Sequence, residues 1–243
     1  MNTDTTATVH TESRGDVLVA TIDVPGRYNA ADMTVYTLLE EALRIDASGY
    51  VITGANGSFS SGDDIAMFDF EDMEASDAFL VQVSRLFQRI EALQRPVVAA
   101  VDGYALGFGF ELALACDVVI ATEGALFGLP EIRHGAAPPN AMGRGPSILG
   151  RGLVRHLATS GSHWLSGGEA HRLGMVGEVH PPERIVDVAV ALANDMADQE
   201  WFVAAKRYQG SSAEATYRMV PEVMASLMAS DHVAQSAKAY ADD

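Results

Sequence analysis

RPVVAAVDGYALGFGFELALACDVVIA, residues 95–121, is the stretch whose reading decides the fold. Two short apolar runs, VVAAV (97–101) and DVVIA (117–121), flank a glycine-punctuated loop, DGYALGFG, and a short helical segment, ELALA. Apolar runs of this length, rich in β-branched residues and bounded by turn formers, read as buried strands. Strand, loop, helix, strand is the repeating grammar of an α/β chain with its loops at strand ends. Between Asp102 and Asp117 the only charged side chain is Glu111. An isolated ionised carboxylate is expensive to bury, so it finds a partner or takes up a proton.

Working outward, DVLVATI (16–22), bounded by Gly15 and Pro25, reads as a strand, and YVITGA (50–55) as another. Between them Asn29 is read as the cap of a helical pattern, AADMTVYTLLEEALRI. Residues 74–94 have helical period, with Phe79, Val83, Leu86, Phe87 and Ile90 on one face. The acidic run DFEDMEASD (69–77) before it reads as a solvated helix start or flap. Residues 140–160 mix glycine with a helical face, and from Pro182 the chain is almost entirely helical. The expected organisation is an α/β core over 1–195 and a helical region over 196–243.

The chain has 243 residues, 48% of them hydrophobic, enough for a sizeable core in one domain with an appendage. Its net charge is −17 and its pI about 4.6, which argues against nucleic acid and anionic membrane as partners. Lys206 and Lys238 are the two lysines, so an anionic ligand needs local arginines. Cys116, the single cysteine, allows no intrachain disulfide and no cysteine metal cluster. The polar start, MNTDTTATVHTESRGD, lacks the apolar core of a signal peptide, and no apolar run is long enough to span a bilayer. The expectation is a soluble cytoplasmic protein without a bound metal.

Two glycine-rich loops follow strands: FSSGDDI (59–65) and YALGFGFE (104–111). Where such a loop opens a helix, free N–H groups and the helix dipole favour negative charge. Two of them facing each other can hold an oxyanion, and each is equally a plain tight turn. Glu131, in ALFGLPEIRHGAAPP, repeats the pattern of Glu111: a carboxylate among Gly, Pro and apolar residues. Two carboxylates at one site suit general acid–base work, because burial and mutual repulsion raise the proton affinity of one of them. The structural alternative is an ion pair, with Arg133 beside Glu131.

Taken in order, TGANGSFSSGDDI, RPVVAAVDGYALGFGFELALACDVVIA and FGLPEIRHG resemble the crotonase (enoyl-CoA hydratase/isomerase) superfamily. The resemblance begins at VPGRYNAADM and continues through LSGGEAHRLGMVGEVHPPERI. It implies a crotonase-like spiral of ββα units with a C-terminal helical region that builds trimers, often stacked as hexamers. It implies an acyl-CoA thioester as substrate, with coenzyme A part of the substrate and no separate cofactor. Its oxyanion-hole N–H groups would fall on Ser61 and Phe108, and its acid–base pair on Glu111 and Glu131. Gly62, Asp63, Asp64, Ile65 and Gly107 would line the substrate channel with Pro138 and Pro139, and Arg27 would approach the nucleotide.

The chain departs from the family's hydratases in three places. Phe108 stands between Gly107 and Gly109 where they commonly carry three glycines, so its ring must point away or narrow the acyl pocket. Pro139-Asn140-Ala141-Met142 replaces a glycine-rich run that helps seat water, and proline has no N–H to offer. The chain ends AKAYADD, leaving Lys238 and Tyr240 where many relatives have a basic, aromatic segment. The reading is an enoyl-CoA hydratase. A double-bond isomerase or thioester/β-dicarbonyl hydrolase of the same fold is the alternative, and a non-catalytic binding trimer stands behind both.

Overall fold

The chain begins with a hairpin. β1 (Thr8–Arg14) and β2 (Val17–Asp23) are antiparallel and turn at Gly15, whose φ of +65° glycine adopts without strain. The computed structural model describes residues 6–65 and 73–208, with side chains for 6–65 and 81–207. α1 (Met33–Ala42) follows, then β3 (Gly49–Gly54), α2 (Met73–Ala92), β4 (Val97–Val101) and β5 (Tyr104–Leu106). α3 (Phe108–Ala115), β6 (Val118–Ala121) and β7 (Leu126–Gly128) lead into a 3-10 turn, Glu131–His134. α4 (Pro139–Leu149), α5 (Arg151–Ser160), β8 (Trp164–Ser166), α6 (Gly167–Arg172), β9 (Glu178–Val179) and α7 (Ile185–Ala197) complete the first unit, Met1–Asp198. The second unit is Gln199–Asp243, of which α8 (Phe202–Tyr208) is described. Residues 69–72 of the acidic run lie outside the described residues while 73–77 form the start of α2, and most of the C-terminal region read from the sequence, Lys238 and Tyr240 included, lies outside them.

The main sheet runs β1-β2-β3-β4-β6-β9, parallel from β2 onward. Both faces are covered, as a parallel sheet requires. Side chains alternate between the faces with period two. Val17, Val19, Val51, Val98, Ala100 and Ile120 pack on one side against Ile185, Ala189 and Ala193 of α7. Leu18, Ala20, Ile22, Ile52, Ala99 and Val119 point the other way, into the core shared with Val35 and Leu39 of α1, Leu86, Phe87 and Ile90 of α2, and Phe110 and Leu112 of α3. A second sheet has the order β5-β7-β8, and its strand β5 lies within DGYALGFG, which reads as loop. β1 reads as polar leader because it is largely exposed and lacks apolar alternation.

Asn29 does not cap α1. That cap is Asp32, whose carboxylate accepts from the Val35 N–H at 3.0 Å. Asn29 is buried three residues earlier in a left-handed turn, φ +60°, a region Asn tolerates better than other side chains. Its amide ties the end of β2 to the end of β3. Oδ1 accepts from Val24 N–H at 2.9 Å, and Nδ2 donates to Ala55 O at 2.9 Å and Ser58 O at 2.5 Å. Asn29→Ala leaves the Val24 N–H and Ser58 O without this partner in the interior, while Ala55 O keeps the Ser58 N–H. It is expected to destabilise the protein by about 2–4 kcal/mol, read from denaturant unfolding. A loss below about 0.5 kcal/mol would show that water replaces the amide.

Candidate active site

Three chain segments meet at the ends of the strands. After β3, the segment 58–65 pairs with the backbone leading through β5: Phe59 N donates to Asp102 O, Ser60 N to Tyr104 O and Leu106 N to Ser60 O. After β5, Gly107 N donates to Gly128 O at 3.0 Å, joining it to the end of β7. Gly107 has φ +51°, and a Cβ there would stand 3.3 Å from Glu131 Oε1 and 3.6 Å from Gly62 Cα. Only glycine allows that turn and that approach together. Glu131, Gly62 and the start of α3 are thereby held around one point.

The first N–H groups of a helix have no intrahelical acceptor. Among the described residues the Phe108 N–H, at the start of α3, donates to no protein acceptor. Its ring turns away from the loops into the core. It lies edge-on to Tyr36 with centroids 4.7 Å apart and stacks on Phe87 at 5.8 Å. Ser61 is a correction. Its N–H donates to Tyr28 O at 2.9 Å and its hydroxyl to Arg27 O at 3.0 Å, so the expected oxyanion donor is already spent. Two residues on, Gly62 O and Asp64 N both pair with Ala31. That parallel bridge turns the Asp63 N–H to the opposite side, where no described protein group accepts from it.

Glu111, one turn into α3, is 6% exposed. Its carboxylate receives the N-terminus of α4: Oε1 accepts from Ala141 N–H at 2.7 Å, and Oε2 lies 3.4 Å from Asn140 Nδ2. Pro139 is the first residue of α4, where no N–H is called for, so it aims the next ones at Glu111. Burial pushes the Glu111 carboxyl up to about 7, while the α4 donors pull against it. Glu131 is served differently. Its Oε2 is buried with no hydrogen-bond partner among the described residues, and burial, then the charge of Glu111, raise it to about 8. Asp63 is a third carboxylate in the field of both. It accepts from the hydroxyl of fully buried Tyr36, and burial raises it to about 6.

The other expected residues are placed as follows. Asp64 is paired with Arg27, an exposed guanidinium. Ile65 is exposed at the end of the described loop, Pro138 is buried and Pro139 is exposed. Arg133 and His134 are exposed, and no ion pair joins Arg133 to Glu131 among the described residues. Tyr36, Asn140 and Arg144 went unread as site residues. Tyr36 looks like any helix-face aromatic, and Asn140 drew notice only for the glycine it displaces. Arg144 offered no signal, since Glu91 and Phe87, which fix it, lie on another helix far along the chain. Among the described residues no cluster of three or more His, Cys, Asp or Glu is arranged to hold a metal ion.

The raised carboxyls set a pH dependence of stability. Between the unfolded values, 3.8 for Asp and 4.5 for Glu, and the folded values of about 6 to 8, the folded state binds more protons than the unfolded one. Stability is therefore full below about pH 4 as far as these groups are concerned, and falls as pH rises through 8. Glu131→Gln removes one such group. Its Tm is expected to exceed that of the parent at about pH 9 and to converge with it toward about pH 5. A Tm difference independent of pH over that range would rule out the buried, protonated Glu131.

The family profile described as enoyl-CoA hydratase/isomerase matches residues 12–242. The chain belongs to that family, the crotonase superfamily, and is an enzyme of it. It is 36% identical over 188 residues to the 2,3-dehydroadipyl-CoA hydratase of Escherichia coli, covering 74% of this chain and 72% of the relative. It is 32% identical over 190 residues to the short-chain-enoyl-CoA hydratase of Clostridium acetobutylicum, covering 75% and 72%. In three dimensions it is similar to the enoyl-CoA hydratase of Thermoplasma volcanium, with TM-score 0.83, 29% identity and 96% of each chain covered. Pseudomonas aeruginosa DspI superposes with TM-score 0.85 at 27% identity, over 99% of this chain and 96% of that one. The α/β fold expected from residues 95–121 is the crotonase fold.

Proposed function

We propose that the chain adds water across the C2=C3 bond of a 2-enoyl-CoA thioester, and removes it in reverse. The observation that carries this is the unequal treatment of two buried carboxyls. Glu111 is served by N–H donors that favour the anion, whereas Glu131 keeps a buried oxygen with no partner. At neutral pH the first is poised as base and the second as acid. The thioester oxygen is received by the N–H groups of Asp63 and Phe108, the donors left free on the two loops. Glu111 takes a proton from water as the oxygen attacks C3. The charge that develops on the thioester oxygen is held by the two N–H groups. Glu131 delivers its proton to C2. Each positioned N–H is worth about 10²–10³ in rate and each acid–base group about 10²–10⁴.

The assembly proposed with this reading is a homotrimer or a hexamer of two trimers, in the cytoplasm. The test of function incubates the full chain with crotonyl-CoA, longer 2-enoyl-CoAs, 3-enoyl-CoAs and β-dicarbonyl-CoAs, followed by mass spectrometry. Gain of one water on a 2-enoyl-CoA supports hydration. Isobaric rearrangement of a 3-enoyl-CoA alone, or release of free acid and CoA alone, replaces it with the isomerase or hydrolase reading. No change on any thioester would sink the enzymatic assignment of the pair.

A further inference from the structure

We propose that Asn140 is a positioning residue for Glu111, and that Arg144 fixes the amide in the one orientation that can serve it. Asn140 and Arg144 lie four residues apart on α4, the spacing that puts two side chains on one face. Arg144 Nη1 donates to Asn140 Oδ1 at 3.1 Å. A guanidinium has donors only, so the atom that meets it must be the amide oxygen. The amide NH₂ is then left to face Glu111 Oε2 at 3.4 Å. A flipped amide would set NH₂ against the guanidinium and an oxygen against a carboxylate, two repulsive contacts in place of two attractive ones.

Arg144 is itself fixed. Its Nε and Nη2 make a two-pronged ion pair with Glu91 of α2, with Nη2 2.9 Å from Oε2. Its guanidinium carbon lies 5.4 Å from the centroid of the Phe87 ring, which stacks on Phe108. A planar, two-pronged contact of this kind sets orientation as well as energy. The chain of contacts runs from Glu91 through Arg144 and Asn140 to Glu111. It has a direction: the donor end points at the carboxylate. With Ala141 N–H on Oε1, both oxygens of Glu111 face donors and the ionised form is favoured. The other charged or titratable groups in the field of Glu111 are Asp63 after β3 and Glu131 in the 3-10 turn, both opposing ionisation. Tyr36 of α1 lies in the same field.

The inference rests on the hydratase reading for its kinetic arm only. The deciding measurement is the titration of the Glu111 carboxyl in the full chain. It is followed by ¹³C NMR of side-chain-labelled glutamate and assigned by its loss in Glu111→Gln. Asn140→Ala is expected to raise the midpoint by about half to one unit, the worth of one weakened hydrogen bond to a charge. Asn140→Asp keeps the size and the Arg144 contact but turns a donor into an acceptor, and should raise it further. Arg144→Met should shift it in the same direction and add nothing in the Asn140→Ala background. On a thioester that is turned over, Asn140→Ala should lower kcat about 3–10-fold below the midpoint, matching that shift, with KM within about twofold. A Glu111 midpoint within about 0.2 unit of the parent in both Asn140 variants overturns the proposal. So does an Arg144→Met shift that adds fully to that of Asn140→Ala. If no thioester reacts, the functional reading falls and the titration still decides this one.

Discussion

Glu111→Gln and Glu131→Gln are each expected to lower kcat by at least about 10², the low end for general acid–base catalysis. Glutamine keeps the size and one acceptor oxygen but cannot exchange a proton. Thioester binding should be spared, because the groups proposed to hold the thioester oxygen are backbone. The double variant should be only slightly slower than either single one, since the two carboxyls act on one transition state as a unit. The pH profile separates the partners. The Glu131→Gln rate should retain the limb of the base near 7, and lose the limb near 8 that reports the acid. Kinetics of the three variants on a reacting 2-enoyl-CoA decide the matter. Both single variants within about threefold of the parent would remove the pair from the chemistry.

Phe108→Pro should fall at least about 10²–10³ below Phe108→Ala in kcat, because the two differ by one N–H. Alanine is the proper reference. The ring fills space between Tyr36 and Phe87, so either substitution opens a cavity costing about 3–5 kcal/mol and both variants carry that loss. Proline at the first position of a helix has the backbone angle the helix needs, so α3 is expected to persist. Circular dichroism and thermal melts establish that the two variants fold alike. Equal rates in two equally folded variants would show that the Phe108 N–H holds nothing in the transition state.

The parts of the fold that were legible are those where burial leaves a mark on local composition. VVAAV and VVIA (118–121) are apolar throughout because both faces of their strands are covered. Glu111 and Glu131 stood out because the chain around them carries little other charge. What was illegible depends on partners far along the chain. The free donor on the 58–65 loop is Asp63 and not Ser61 because Tyr28, more than thirty residues upstream, has already engaged Ser61. Asn29 resembles a helix cap by residue type. Two of its three bonds reach Ala55 and Ser58, past the end of β3, which only the tertiary fold brings near. Pro139 read as a lost N–H. In the helix it marks the start and aims the following donors at Glu111.

Glu111 closes the N-terminus of α4 with the same oxygens that are proposed to handle a proton. The residue therefore answers to two selections at once. A lineage that abandoned the chemistry and kept only thioester binding could replace Glu131, whose free oxygen is a burden to the folded state, and gain stability by doing so. It could not replace Glu111 with an apolar residue without uncovering the Ala141 N–H inside the protein. Drift toward an inert descendant thus has a preferred order, with the acid going first. A chain that retains both carboxyls still carries a stability penalty that binding alone gives no reason to keep.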